Sequence, residues 1–117
     1  MTSRSASGPI PLVPVPRVAA VDPTRLADVC RRWKIVELDV FGSVARGEAG
    51  PESDVDLLVT FLPDAEWGLL DHAAIEDDLA AVFGRRVDLV TRRAVERSRN
   101  ALRKKEILAS ARPIYVS

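Results

Sequence analysis

The hydrophobic pattern of this chain changes period several times along its length. Leu26, Val29, Cys30 and Trp33 recur at helical spacing, predicting an amphipathic helix over about Pro23–Trp33. Asp22-Pro23 supplies a helix cap followed by proline at the first helical position. The period then drops to two: Val36, Leu38 and Val40 share one face of a strand over Ile35–Phe41. A polar loop from Gly42 to Ser53 follows, with a short helical turn expected around Val44–Arg46. A second strand, Asp54–Phe61, is apolar on both faces after Asp56, as a buried central strand requires. Pro63-Asp64 marks a turn. Leu69, Leu70, Ala73, Ile75, Leu79, Val82 and Phe83 predict a helix over about Gly68–Phe83, with Gly84 as its C′ residue. A third strand spans Arg86–Thr91. A polar helical segment then runs from Arg92 to about Ser110, and Ile114-Tyr115-Val116 forms a short closing strand. The alternation of strands and helices predicts an α/β domain.

Residues 1–21 depart from this pattern. Pro9, Pro11, Pro14 and Pro16 suppress helix and interrupt sheet pairing, so a flexible Pro-rich arm is expected ahead of a single domain over 22–117. The lone cysteine, Cys30, provides no intrachain disulfide and fits a reducing compartment. No apolar run is long enough to span a bilayer, and prolines break the N-terminus as a signal sequence, so a cytoplasmic protein without membrane contact is expected. Net charge is zero but unevenly placed. Between Gly47 and Gly84 there are ten acids and no Lys or Arg; from Arg85 to Lys105 there are nine bases and two acids. Solvated acidic and basic helices account for this, and so does a basic face for phosphates or a partner beside an acidic, metal-holding rim.

The chemistry concentrates in FGSVARGEAGPESDVDLLVTF, residues 41–61. Asp54 and Asp56 are two apart at the start of a strand and point the same way. Two carboxylates on one face repel unless a cation lies between them. The Gly42-Ser43 turn offers backbone N–H groups and a hydroxyl to phosphate. Asp88 interrupts an apolar strand, which is costly unless it is paired or metal-bound. If the third strand lies beside the second, Asp88 approaches the Asp54/Asp56 pair. Mg²⁺ takes oxygen ligands from one or two carboxylates, water and substrate phosphates. Together these features predict a Mg-nucleotide site.

The ordered set Gly42, Ser43, ten residues, Asp54, Asp56 resembles the minimal nucleotidyltransferase domain of the polymerase-beta-like superfamily. Arg46-Gly47, Pro51, Ser53 and Leu57-Leu58-Val59 match its context, and Asp88 in VDLV falls on its third carboxylate. The resemblance implies a small mixed sheet flanked by helices. It implies two Mg²⁺ ions held by Asp54, Asp56 and Asp88, with Asp88 helping to deprotonate the acceptor. Gly42 and Ser43 would hold the triphosphate of ATP, with Arg46 and Ser53 as further nucleotide contacts. The size of the chain resembles the antitoxin of HEPN–MNT (HepT/MntA) toxin–antitoxin pairs, which implies transfer of AMP to a tyrosine of a HEPN-type ribonuclease toxin. Alternatives are an antitoxin acting by contact alone and a small-molecule, antibiotic-type nucleotidyltransferase.

Other residues carry weaker expectations. His72 is read as a solvated surface residue, Trp33 and Trp67 as core or partner contacts, and Cys30 as core. The bases Arg92, Arg93, Arg97, Arg99, Arg103, Lys104 and Lys105 lack interleaved aromatics, so direct nucleic-acid binding is not expected.

Overall fold

The computed structural model describes residues 21–45 and 54–117. The Pro-rich arm before Val21, Arg46 and Ser53 lie outside the described residues.

Helix α1 (Pro23–Arg32) starts where the sequence places its cap: Asp22 Oδ1 accepts the Thr24 N–H at 2.9 Å. Strand β1 (Ile35–Phe41) runs into a single helical turn, α2 (Gly42–Ala45), two residues earlier than the expected turn. Strand β2 (Val55–Phe61) leads to α3 (Leu69–Phe83), which stops at Gly84 with φ of 68°. Strand β3 (Val87–Thr91) is followed not by one polar helix but by two, α4 (Arg92–Glu96) and α5 (Ala101–Ser110). The break has a local cause. The Ser98 and Asn100 side chains accept the N–H groups of Asn100 and Arg103, and the second of these starts a new helix. Strand β4 (Arg112–Val116) closes the chain.

The strands form one mixed sheet in the order β3-β2-β1-β4. β1 is antiparallel to β2 and β4, and β2 is parallel to β3 through the α3 crossover. The central strand β2 is buried on both faces, as its sequence predicts: Leu57 and Leu58 are both fully buried. Leu57 joins the larger core, where Leu38, Val40, Val59 and Leu89 meet α1 and α3 through Val29, Cys30, Ile75 and Leu79. Leu58 joins a smaller core on the other face with Phe41, Val95 and Ile107. That second face carries α4 and α5.

Two expectations about α3 change. Leu69 and Leu70 do not belong to its apolar side; they are 87% and 86% exposed. At about 100° per residue they lie roughly 120° and 140° around the helix from Ile75, off the stripe that faces the sheet. His72 is half-buried and partnered, not a free surface side chain. Its Nε2 donates to the Leu89 carbonyl at 3.0 Å, while Glu76 Oε2 accepts the Leu89 N–H at 2.8 Å. Together these side chains satisfy both outward backbone groups of Leu89 in β3, an edge strand whose outer backbone groups would otherwise stand open. Trp33 and Trp67 pack edge to face, with centroids 5.3 Å apart, and their indole N–H groups reach Asp78 and the Trp33 carbonyl. Cys30 is buried, and burial pushes its thiol up to about 12.

Candidate active site

Strand register assembles the site. Phe41 opposes Asp56 across the antiparallel β1–β2 pair, and Asp56 lies beside Asp88 across the parallel β2–β3 pair. Side chains at one level of neighbouring strands project to the same face. Phe41, Asp56 and Asp88 therefore make a row across the sheet on the α4–α5 side. Asp56 is half-buried and Asp88 exposed. They line a pocket of about 400 Å³ with Phe41, Gly42, Arg103, Glu106, Ile107 and Ser110.

Gly42 fits this place for a steric reason. Its φ is +73°, a left-handed conformation that glycine adopts at no steric cost. A Cβ there would lie 2.7 Å from Asp56 Oδ2. The missing side chain lets the backbone of the turn approach the carboxylate. The Gly42 N–H is held by Ser110 Oγ at 3.2 Å, and that hydroxyl donates to the Ile107 carbonyl at 3.3 Å. The last residue of α5 thus anchors the turn after β1.

The sequence-predicted residues divide into groups. Gly42, Asp56 and Asp88 come together in one pocket. Ser43 follows Gly42 in the backbone of α2. Asp54 precedes β2, is exposed, and does not line the pocket. Among the described residues no three His, Cys, Asp or Glu side chains stand close enough to hold a metal. The pair Asp56 and Asp88 nonetheless suits Mg²⁺, which needs only one or two protein carboxylates when substrate phosphates and water complete its shell. Arg103, Glu106, Ile107 and Ser110 were not legible as site residues. They reach the pocket only because α5 folds back over the sheet.

A second polar group on the same face was also missed. Asp39 is 4% exposed, and its Oδ1 is buried with no hydrogen-bond partner among the described residues. Arg92 folds inward toward it, with Nη2 3.4 Å from Asp39 Oδ2 and 3.5 Å from Glu37 Oε2, and Nε donating to Thr60 Oγ1 at 3.0 Å. Burial pushes the Asp39 carboxyl up to about 7; hydrogen bonding with Glu37 and its negative charge add to the rise, and Arg92 opposes it. Because the folded value lies above the unfolded one, the native state binds the extra proton. Stability from this group is complete below about pH 4 and is lost as pH rises through about 7. Asp39→Asn mimics the protonated form. It is expected to gain on the order of 3 kcal/mol relative to wild type between pH 4 and 8. Urea unfolding of both proteins across that range checks it, and parallel stability curves would contradict it.

A larger cavity, about 460 Å³, lies elsewhere, at the ends of β2 and β3 near Trp67, His72 and Arg93. It contains none of the three aspartates.

Comparison with known proteins gives the family and the fold. The sequence matches the nucleotidyltransferase domain family over residues 25–115, and the chain belongs to that family. Within it, the chain resembles MntA-type antitoxins of HEPN–MNT pairs. The protein adenylyltransferase MntA of Thermococcus cleftensis is 43% identical over 67 residues, covering 56% of this chain and 64% of that relative. The matched segment is thus just under two thirds of the relative's length. A solved minimal nucleotidyltransferase is 38% identical, covers 79% of this chain and 88% of its own, and superposes with a TM-score of 0.59. The fold is shared with the complex of a tri-AMPylated HEPN toxin and MNT antitoxin from Shewanella oneidensis. That likeness has a TM-score of 0.54 at 16% identity, over 81% of this chain and 70% of the other. Among the described residues no helix is long and apolar enough to cross a membrane.

Proposed function

We propose that this protein transfers AMP from ATP, with Mg²⁺, to a tyrosine of a HEPN-type ribonuclease toxin and acts as its antitoxin. The observation that carries the reading is the Asp56–Asp88 pair, brought side by side by strand register and faced by the Gly42 turn. Asp56 and Asp88, joined by Asp54 at the mouth of β2, would hold the metal. When bound, Mg²⁺ neutralises charge on the triphosphate and orients it. Ser43 would present its backbone N–H to the phosphates, and Gly42, whose own N–H is taken by Ser110 Oγ, leaves room for their approach by lacking a side chain. The acceptor oxygen bonds to the α-phosphorus, the bond to the bridging β-phosphate oxygen breaks, and pyrophosphate leaves. The acceptor proton passes to Asp88. The AMPylated toxin named in the Shewanella oneidensis complex and the adenylyltransferase from Thermococcus cleftensis support this acceptor class. Incubation with a HEPN-type partner, ATP and Mg²⁺ should add adenylyl groups to the partner, read by intact mass. An unmodified partner under conditions where ATP is bound would refute the acceptor.

The basic segment is the proposed docking face, but its members are not equivalent. Arg92 is turned into the fold, Lys104 Nζ donates to the Glu96 carbonyl, and Arg103 lines the carboxylate pocket. Arg97 and Arg99 are exposed, and among the described residues their side chains have no partner. Arg97→Glu with Arg99→Glu should weaken partner binding about tenfold and flatten its salt dependence, leaving ATP affinity unchanged. Titration at two ionic strengths measures both effects, and unchanged affinity would move the docking face elsewhere.

A further inference from the structure

We propose that a small cleft between β3, α4 and α5 is the acceptor subsite, and that it takes the ring of a tyrosine set in an acidic stretch of the partner protein. This inference rests on the nucleotidyl-transfer reading above and adds where the acceptor sits and what surrounds it.

The cleft measures about 120 Å³ and is walled by Val90, Ala94, Val95 and Ile107, with Ser98, Arg103 and Lys104 at its rim. Val95 and Ile107 are 4% and 6% exposed, so the floor is part of the smaller core. An apolar cavity of about 150 Å³ encloses a whole benzene ring, so this smaller, open cleft takes one face of an aromatic ring and leaves the rest at its mouth. Arg103 and Ile107 also line the carboxylate pocket, so the two spaces are neighbours on either side of these α5 side chains.

Position along β3 sets the reach. Asp88 and Val90 lie two apart on one face, roughly 6.6 Å along the strand. A phenol ring over Val90 sends its hydroxyl toward Asp88 and its main chain toward the α4–α5 junction. A serine or threonine side chain seated at that junction is too short to extend so far and leaves the apolar walls uncovered. Around the junction Arg97, Arg99 and Lys105 are exposed, and among the described residues none of their side chains has a partner. Glu96 and Glu106 are the acids nearby in sequence. This excess of positive charge complements acidic residues flanking the tyrosine.

The test uses ATP labelled at the α-phosphate, Mg²⁺, and four acceptors: an acidic peptide with one tyrosine, the same peptide with serine, a basic tyrosine peptide, and a short RNA. Peptide binding and ATP binding are measured separately from transfer. Wild type should bind and label the acidic tyrosine peptide at least tenfold better than the others. Ala94→Phe fills the cleft from exposed α4 and should cut transfer to that peptide at least tenfold, with ATP affinity within twofold. Ala94→Leu, a smaller filling, serves if the Phe variant melts early. Equal labelling by the filled variants overturns the subsite, as does preference for serine, a basic peptide or RNA, or no binding of the acidic tyrosine peptide. Failure of wild type to bind ATP overturns the nucleotidyl-transfer reading itself; intact ATP binding with an indifferent cleft overturns the subsite alone.

Discussion

Asp56→Asn is expected to lower AMP transfer by roughly 10³-fold or more, equivalent to about 4 kcal/mol of transition-state stabilisation. Asp56 is the middle member of the row Phe41–Asp56–Asp88 and the carboxylate that the Gly42 turn approaches. The amide keeps the shape but loses the charge that binds a cation. Removing one of two adjacent like charges relieves their repulsion in the metal-free protein, and thermal melting checks that the fold is retained. Asp88→Asn should separate two functions. Its exposed side chain lies at the edge of the pocket, away from the Gly42 turn, so ATP binding should stay within about tenfold, about 1.4 kcal/mol, while turnover is lost. Transfer assays beside equilibrium ATP binding and thermal melting read all three quantities. Near-wild-type transfer by Asp56→Asn would remove the metal-carboxylate mechanism; parallel collapse of binding and turnover in Asp88→Asn would remove its separate role.

Gly42→Ala should be the most damaging change that alters no charged or hydrogen-bonding side chain. Two costs add. Left-handed backbone costs a non-glycine residue about 1–2 kcal/mol. The new methyl also falls 2.7 Å from Asp56 Oδ2, and the carboxylate can escape only by swinging away from its working position. The variant should lose about 1–3 kcal/mol of stability and at least a hundredfold in transfer. Gly84→Ala is the matched control. Its φ is +68°, but a Cβ there has nothing within 4 Å. It should lose the backbone term alone and keep full transfer. Denaturant melts and transfer rates for the pair separate strain from site geometry; equal activity in both variants would show that the Gly42 approach to Asp56 is unimportant.

The periodic signals read well where burial and secondary structure share one cause. The two-sided apolar run of β2 reads directly as a central strand, because both its faces meet a core. The cap at Asp22 and the stop at Gly84 are local backbone preferences and appear where the sequence puts them. Leu69 and Leu70 mislead because composition shows that a helix is apolar but not which phase faces the sheet. His72 misleads in a related way, because its backbone partner lies on another strand. A charge inside an apolar strand needs a partner, and this holds for Asp39 as much as for Asp88. Only the fold shows that Asp39 is the one buried, with Arg92 brought to it from the far end of β3.

The sequence alone determined that a glycine-serine turn ends one strand and that two aspartates open the next. Those features are set within a few residues by backbone geometry and side-chain alternation. It also placed a third aspartate inside a later strand. The tertiary structure alone decided that Asp88 lies level with Asp56. That alignment is the register of a parallel pair, set by how the α3 crossover packs and not by any local preference. It decided too that α5 returns over the sheet, so that Ser110 holds the Gly42 amide and Arg103 and Ile107 line both the carboxylate pocket and the neighbouring cleft. The Ser110–Gly42 contact links residues 68 positions apart, and long-range packing of Phe41, Leu58, Val95 and Ile107 is what brings them together.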